Sequence, residues 1–244
     1  LGLNDIIDRS SPTQIPGTTW RSVNWGGYGL QNFATKTDGT LWAWGYNYYG
    51  VLALNDTTNR SSPTQVPGTT WGKNHSVGGY RSALATKSNG TLWVWGDNNF
   101  GAFGKPGTNP NTKNSSPVQI PGTSWDHSNW GKLAARQMGG GAIRTDNTLW
   151  VWGYNNNSCL GLNTPDNGHR SSPTQLPGTD WSRITAYTYN YAAIKTDGTM
   201  WAWGKNTGGQ VGVNDRTEYS SPKQIPGTTW SQSQFGSGFR AAVK

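Results

Sequence analysis

The chain has 244 residues, with 34 Gly, 15 Trp, 1 Cys, only 13% charged side chains and a formal net charge of +8. One cysteine excludes a disulfide framework within the chain, and no stretch reaches the ~20 apolar residues of a membrane-spanning helix. The basic residues form no run, so the positive excess reads as dispersed surface charge rather than as a nucleic-acid face.

Aliphatic residues are sparse, so burial must come from rings. A fully buried indole removes ~200 Å² from water, worth up to about 5 kcal/mol.

In chain order, residues 1–5 match the register of residues 211–215, and the string Ser-Ser-Pro-x-Gln-x-Pro-Gly-Thr-x-Trp then closes first at Trp20. Its later copies close at Trp71, Trp125, Trp181 and Trp230, and their first prolines (Pro12, Pro63, Pro117, Pro173, Pro222) are spaced by 51, 54, 56 and 49 residues. The Pro-x-Gln-x-Pro piece predicts a short outer strand limited by prolines. The closing Trp opens a second strand, as over 181–186, and a third precedes the turn, as over 191–195. Asp38-Gly39, Asn89-Gly90, Asp146-Asn147 and Asp197-Gly198 predict two-residue hairpins with positive φ at both central positions. After each turn comes Leu/Met-Trp-Ala/Val-Trp-Gly, at 41–45, 92–96, 149–153 and 200–204.

Four short strands per ~50 residues is the pattern of a propeller blade. In Trp-x-Trp both indoles lie on one face of the strand, and a lone unit could not cover that face. The fold expected is therefore all-β: a β-propeller of five repeat units, as one domain over 1–244 with units near 1–51, 52–102, 103–159, 160–210 and 211–244. Residues 241–244 match the strand before the hairpin. About 15 residues, one turn with one Trp-x-Trp strand and its loop, are then needed to complete the array. The expectation is a piece of a larger protein, or a five-bladed ring lacking one strand.

Each Trp-x-Trp-Gly runs into Gly-x-Asn-x-x-Gly-x-Leu-Gly or a near relative, at 45–53, 96–104, 204–212 and, more loosely, 153–161. This resembles the regulator-of-chromosome-condensation repeat. The resemblance implies a β-propeller, commonly seven-bladed, in a family whose members serve as exchange factors, inhibitors, adhesins and scaffolds. The strand that often carries His after a Gly-Gly pair reads instead Gly26-Gly27-Tyr28-Gly29, Gly78-Gly79-Tyr80-Arg81 and Gly238-Phe239-Arg240. No insertion resembles the wedge of the nuclear nucleotide-exchange member. Near-identical units resemble those of bacterial and bacteriophage surface proteins.

Candidate chemistry is limited. His75, His127 and His169 sit in different registers, which argues against a shared metal site. Cys159 has no His in register beside it and reads as a packed side chain. Asp38, Asp146 and Asp197 are turn residues, and Asp5, Asp56 and Asp215 are expected to cap loop backbone. Repetition favours shallow sites between blades. Trp20, Trp71, Trp125, Trp181 and Trp230 could stack sugar rings, and Arg9, Arg60 and Arg170, or Lys36, Lys87, Arg144 and Lys195, could form basic rings for an anion. The expected function is a non-enzymatic structural and recognition module on a virion or microbial surface, extracellular, binding a protein neighbour in a larger assembly or a cell-surface glycan. A free multivalent lectin is the alternative, and a propeller lyase or hydrolase ranks last. No cofactor, metal, nucleic acid or membrane insertion is expected.

Overall fold

A computed structural model of the chain describes residues 2–26, 30–107, 112–164, 166–236 and 239–243, with side chains outside 25, 73–77 and 232–243. The His75 side chain, residues 27–29, and the side chains of the 238–240 stretch and of 241–244 therefore lie outside the described set.

Each blade is a four-stranded antiparallel meander paired in chain order. Blade 1 holds β1 (Trp20–Trp25), β2 (Gln31–Lys36), β3 (Leu41–Gly45) and β4 (Arg60–Gln65). Blade 2 holds β5 (Trp71–Gly78), β6 (Ser82–Lys87), β7 (Leu92–Asp97) and β8 (Lys113–Ile120). Blade 3 holds β9 (Leu133–Arg136), β10 (Gly139–Ile143), β11 (Leu149–Gly153) and β12 (Arg170–Gln175). Blade 4 holds β13 (Trp181–Tyr187), β14 (Asn190–Lys195), β15 (Met200–Gly204) and β16 (Tyr219–Ile225). The strands β17 (Gln232–Gly236) and β18 (Phe239–Val243) pair as a fifth sheet. Blades 1, 2 and 4 begin at the closing Trp of the long string, and each of the four-stranded blades straddles two of the units expected from the sequence.

Blades stack through their first two strands: β5 packs on β1 and β2, β9 on β5 and β6, β13 on β9 and β10, and β17 on β13 and β14. The second strands are buried on both faces, which explains their small residues. In β10, a Cβ on Gly140 would lie 2.7 Å from Leu84 Cδ1 of blade 2, and one on Gly141 would lie 2.7 Å from Ile184 Cδ1 of blade 4. The bare strand is a slot that side chains from both neighbours fill, and any side chain there would push a blade away.

The second indole of each Trp-x-Trp joins consecutive blades. Trp44, Trp95, Trp152 and Trp203 are buried. Trp95 Nε1 donates to Val51 O at 2.7 Å, and Trp152 Nε1 to Ala102 O at 3.0 Å. The acceptors belong to the loop that leaves the preceding blade's third strand, so the loops of blades 1 and 2 are each pinned by the next blade.

The hairpins differ from expectation. Lys36 N donates to Thr40 O and Gly39 N to Lys36 O, which closes a three-residue loop. Positive φ falls on one residue per turn: Gly39, Gly90, Asn147 and Gly198, at +79°, +77°, +61° and +78°. This is a type I turn followed by a left-handed residue, the usual three-residue hairpin. The Asp is held in negative φ because its Oδ1 accepts from the Thr backbone and hydroxyl two residues on, as Asp38 does from Thr40 at 2.9 and 2.7 Å. That hydroxyl in turn accepts from the first indole of the pair, Trp42 Nε1 at 2.8 Å, and blades 2 to 4 repeat the relay.

Candidate ligand-binding face

The meander gives every blade two ends. One end carries the β2–β3-type hairpins and the connection to the next blade. Backbone bonds close this end: Trp71, Trp125, Trp181 and Trp230 N donate to the O of Gly39, Gly90, Asn147 and Gly198 of the preceding hairpin, at 2.9–3.0 Å. Four of the five predicted sugar-stacking residues thus lie in a structural seam. Trp71, Trp125 and Trp181 are buried, and Trp20 and Trp230 are half-buried. Trp20, Trp125 and Trp181 donate Nε1 to the carbonyls of Pro16, Pro121 and Pro177 across the Pro-Gly turn. The motif Pro-Gly-Thr-x-Trp is an indole-capped turn, and the buried indoles have no open face for a sugar.

The predicted basic residues are likewise engaged within the fold, half-buried except for the exposed Arg9. Lys36 Nζ lies 4.7 and 3.9 Å from the ring centroids of Trp20 and Trp42. Lys87, Arg144 and Lys195 occupy the same position between Trp71 and Trp93, Trp125 and Trp150, and Trp181 and Trp201. Each cation clamps two indoles, worth ~0.5–2 kcal/mol by ring attraction. Arg9 and Arg60 pair with Asp5 and Asp56 four residues earlier, and Arg170 donates to the carbonyls of Gly168 and His169. These three arginines hold loops rather than face a ligand.

The other end of each blade carries the first turn and the long loop between third and fourth strands. Each loop has a fixed base. Asn47, Asn98, Asn155 and Asn206 are fully buried, and their Oδ1 atoms accept from the backbone N of Leu52, Phe103, Leu160 and Val211 at 2.7–2.9 Å. Asp56 and Asp215 Oδ1 accept from Asn47 and Asn206 Nδ2 and from Thr58 and Thr217 N. Asp5 Oδ1 accepts from Ile7 N. In blade 3, His169 Nδ1 accepts from Asn155 N at 3.0 Å, the part that Asn59 Oδ1 plays toward Asn47 N at 2.8 Å. Burial lowers the His169 pKa, consistent with this acceptor role.

Above the fixed bases the repeats disagree with one another. Positions following the Trp-x-Trp-Gly glycine read Tyr46, Asp97, Tyr154 and Lys205 after alignment of the sheets, and the tips read Tyr49, Phe100, Asn157 and Gly208. The sequence also offered the phenols of the Gly-Tyr-Asn segments, Tyr46 and Tyr154, for ring stacking, but it did not single out Tyr48, Tyr49, Arg81 and Lys113, which the structure gathers here. Tyr48 and Tyr49 meet edge-on at 5.0 Å, and Tyr49 meets Tyr80 of blade 2 at 5.6 Å. Arg81 lies 4.9 Å above Tyr49, and Lys113 lies 4.1 Å above Tyr48. Around the same end, Phe100 of blade 2 meets Tyr154 and His169 of blade 3 at 4.7 and 4.9 Å, and Tyr154 meets Tyr189 of blade 4 at 6.3 Å. Tyr48 is 56% exposed and Phe100 41%. Burial raises the Tyr49 and Tyr154 phenols above their ordinary pKa, so both remain hydroxyl donors near neutral pH.

Arg136, buried at the end of β9, underlies the second cluster. Its Nε donates to Tyr191 Oη at 2.9 Å, Nη1 to Cys159 Sγ at 2.8 Å and Nη2 to Tyr154 O at 2.6 Å. Burial pushes the Tyr191 phenol up to about 12 and raises the Cys159 thiol, so the guanidinium is satisfied by neutral groups. Cys159 is itself fully buried. Among the described residues, no group of three or more His, Cys, Asp or Glu could hold a metal ion.

Meander sheets stacked through glycine-lined slots, with a closed hairpin end and a divergent loop end, define a repeat β-propeller presenting one variable face. Residues 38–77, 146–186 and 197–243 match the model of the Regulator of chromosome condensation (RCC1) repeat, and 181–210 match a second model so described. The chain belongs to the RCC1 repeat family. It is similar to the Ultraviolet-B receptor UVR8 of Arabidopsis thaliana, at 27% identity over 85% of this chain and 47% of that protein. It is also similar to the RCC1 domain-containing protein RUG3, mitochondrial, of the same plant, at 28% identity over 72% of this chain and 40% of that protein. The chain thus spans about half the length of these relatives or less. Among solved structures, yeast RCC1 (Prp20) bound to Kap60 superposes with a TM-score of 0.78 at 17% identity, over 93% of this chain and 55% of that one. No helix of the described residues is long and apolar enough to cross a membrane.

Proposed function

We propose that this chain is a non-catalytic recognition module that docks a protein partner on its loop end. One observation carries the reading: nearly identical repeats diverge at the loop end, and the divergent residues include rings and a cation that reach solvent, Tyr48, Phe100 and Lys113. Positions required by the fold recur in every blade, so chemistry that occurs once is free to serve a partner. Exposed Tyr and Phe with neighbouring Arg have the composition of interaction hot spots. Relatives support a protein ligand: one solved structure shows yeast RCC1 with Kap60, and another concerns binding of Prp20p from Saccharomyces cerevisiae to Gsp1p and histones. A place on the outside of a virus particle or microbe belongs to the same proposal and rests on the near-identity of the units. Sugar stacking is the weaker reading, because the repeated indoles are internal.

Selection of ligands from a random peptide library tests this, with Tyr48→Glu blocking the loop end and Ser88→Glu blocking the hairpin end. Ligands are expected to lose binding to the first variant and keep it to the second. A selection yielding no ligand, or ligands sensitive only to Ser88→Glu, overturns the proposal.

A further inference from the structure

We infer that the seam between the loop of blade 1 and the first turn of blade 2 takes an acidic peptide segment; this rests on the recognition role proposed above and names its ligand chemistry. The carboxylates around these loops are already engaged by neighbours within the chain, Glu218 with Asn157 Nδ2 at 3.4 Å among them. Asp56 pairs with Arg60, and Asp97, 3% exposed, takes Arg81 Nη1 at 3.5 Å and Asn99 N at 3.1 Å. Asp166 accepts from Ser158 N at 2.7 Å, and Asp215 accepts from Tyr219 Oη at 2.6 Å. The cations are not matched in this way. Among the described residues, neither Lys113 on the seam nor Lys205 on the neighbouring cluster has a carboxylate within 4.0 Å. Lys113 is exposed, held over Tyr48 at 4.1 Å and Tyr49 at 5.3 Å. A cation resting on rings keeps outward N–H donors and the whole of its charge.

Ring geometry decides between anionic ligands. Pyranose rings and nucleobases bind tyrosine by lying flat on an open face. On the seam those faces are used: Lys113 sits over Tyr48, Arg81 over Tyr49, and Tyr48 and Tyr80 abut Tyr49 edge-on. What remains outward is the exposed Lys113 ammonium, with Arg81 beside it and the rim of Tyr48. The two cations are donors for carboxylates. A chain of Asp or Glu residues fits this array, and stacked bases or sugars do not.

The test is fluorescence anisotropy at low ionic strength with a labelled peptide of alternating Glu and Gly, against a Lys-Gly peptide, a heparin fragment and oligothymidylate. The Glu-Gly peptide is expected to bind, to weaken with added salt, and to lose about tenfold in affinity with Lys113→Glu, a change of ~1.4 kcal/mol. Lys223→Glu, on the outer strand β16, removes the same net charge and is expected to change little. Equal loss in both variants, preference for the Lys-Gly peptide, or capture of heparin or oligothymidylate in place of Glu-Gly would each overturn the inference. The library selection separates the two proposals. Loop-end ligands of neutral or basic composition overturn the acidic reading alone, whereas absence of loop-end ligands removes both.

Discussion

Three tryptophans in equivalent positions offer an internal comparison. Trp95 and Trp152 each donate Nε1 to a buried carbonyl of the preceding loop, while Trp203 Nε1 is buried with no acceptor. Replacing each by Phe removes the same part of the indole, about 40 Å² of ring, which at ~25 cal/mol per Å² is ~1 kcal/mol at every site. At 95 and 152 the change also strands Val51 or Ala102 O, at a further ~1–3 kcal/mol. Trp95→Phe and Trp152→Phe should therefore destabilise by ~2–4 kcal/mol and Trp203→Phe by ~1 kcal/mol. Aromatic neighbours are present in all three cases: Phe33 at 6.1 Å from Trp95, Trp125 at 6.3 Å from Trp152 and Tyr191 at 5.6 Å from Trp203. Urea unfolding followed by tryptophan emission measures the midpoints, compared at constant slope. Equal losses at all three sites would refute the claim that these bonds, rather than ring burial alone, tie the blades together.

Three further outcomes follow from the same geometry. Threonine hydrogen bonds hold the Asp38, Asp146 and Asp197 carboxyls below their ordinary pKa. Their contribution is present above the unfolded value of ~3.9 and is lost as pH falls through the lower folded values. Because Asn89 fills the same place in blade 2 through Thr91, changing all three to Asn should leave stability at pH 7 nearly unchanged and flatten the acid limb of a pH–urea titration. His169, lowered by burial, contributes fully above ~6.5 and loses that contribution as pH falls towards its folded pKa. His169→Asn, copying Asn59, should remove this component, seen as a flatter stability profile below about pH 6.5. Gly90→Ala should be severe and Gly107→Ala mild: both have φ of +77°, but the added Cβ meets Thr123 O at 2.1 Å in the first case and nothing within 4 Å in the second. Thermal melts should separate them, with ~1 kcal/mol for the φ cost alone at 107.

Much of this architecture was legible because it repeats. Trp-x-Trp and the Asp-Gly turns each recur, and each became a strand or turn where expected; the outer strand runs through its first proline, as in Arg60–Gln65, instead of being bounded by it, and the first copy, around Pro12, forms no strand. The hairpin type was misread because Asp-Gly suits both two- and three-residue loops, and the Asp38 to Thr40 side-chain bonds that select the longer one are not visible in the dipeptide. The residues singled out for ligand chemistry proved to be engaged within the fold for a related reason. Trp71 and Lys87 recur because the fold needs them, whereas Tyr48, Arg81 and Lys113 come from two blades and meet only after stacking. The available signal was disagreement between aligned units just after Trp-x-Trp-Gly, where Tyr46, Asp97, Tyr154 and Lys205 differ.

The bond from Trp95 to Val51 runs backwards along the chain, and this orders events during synthesis. Residues 46–59 can be complete and still lack their anchor until the indole at 95 has left the ribosome. Blades 1 and 2 are each finished by their successor, so a ribosome paused before the indole at 95 or at 152 would leave the loop of the blade before it unfastened.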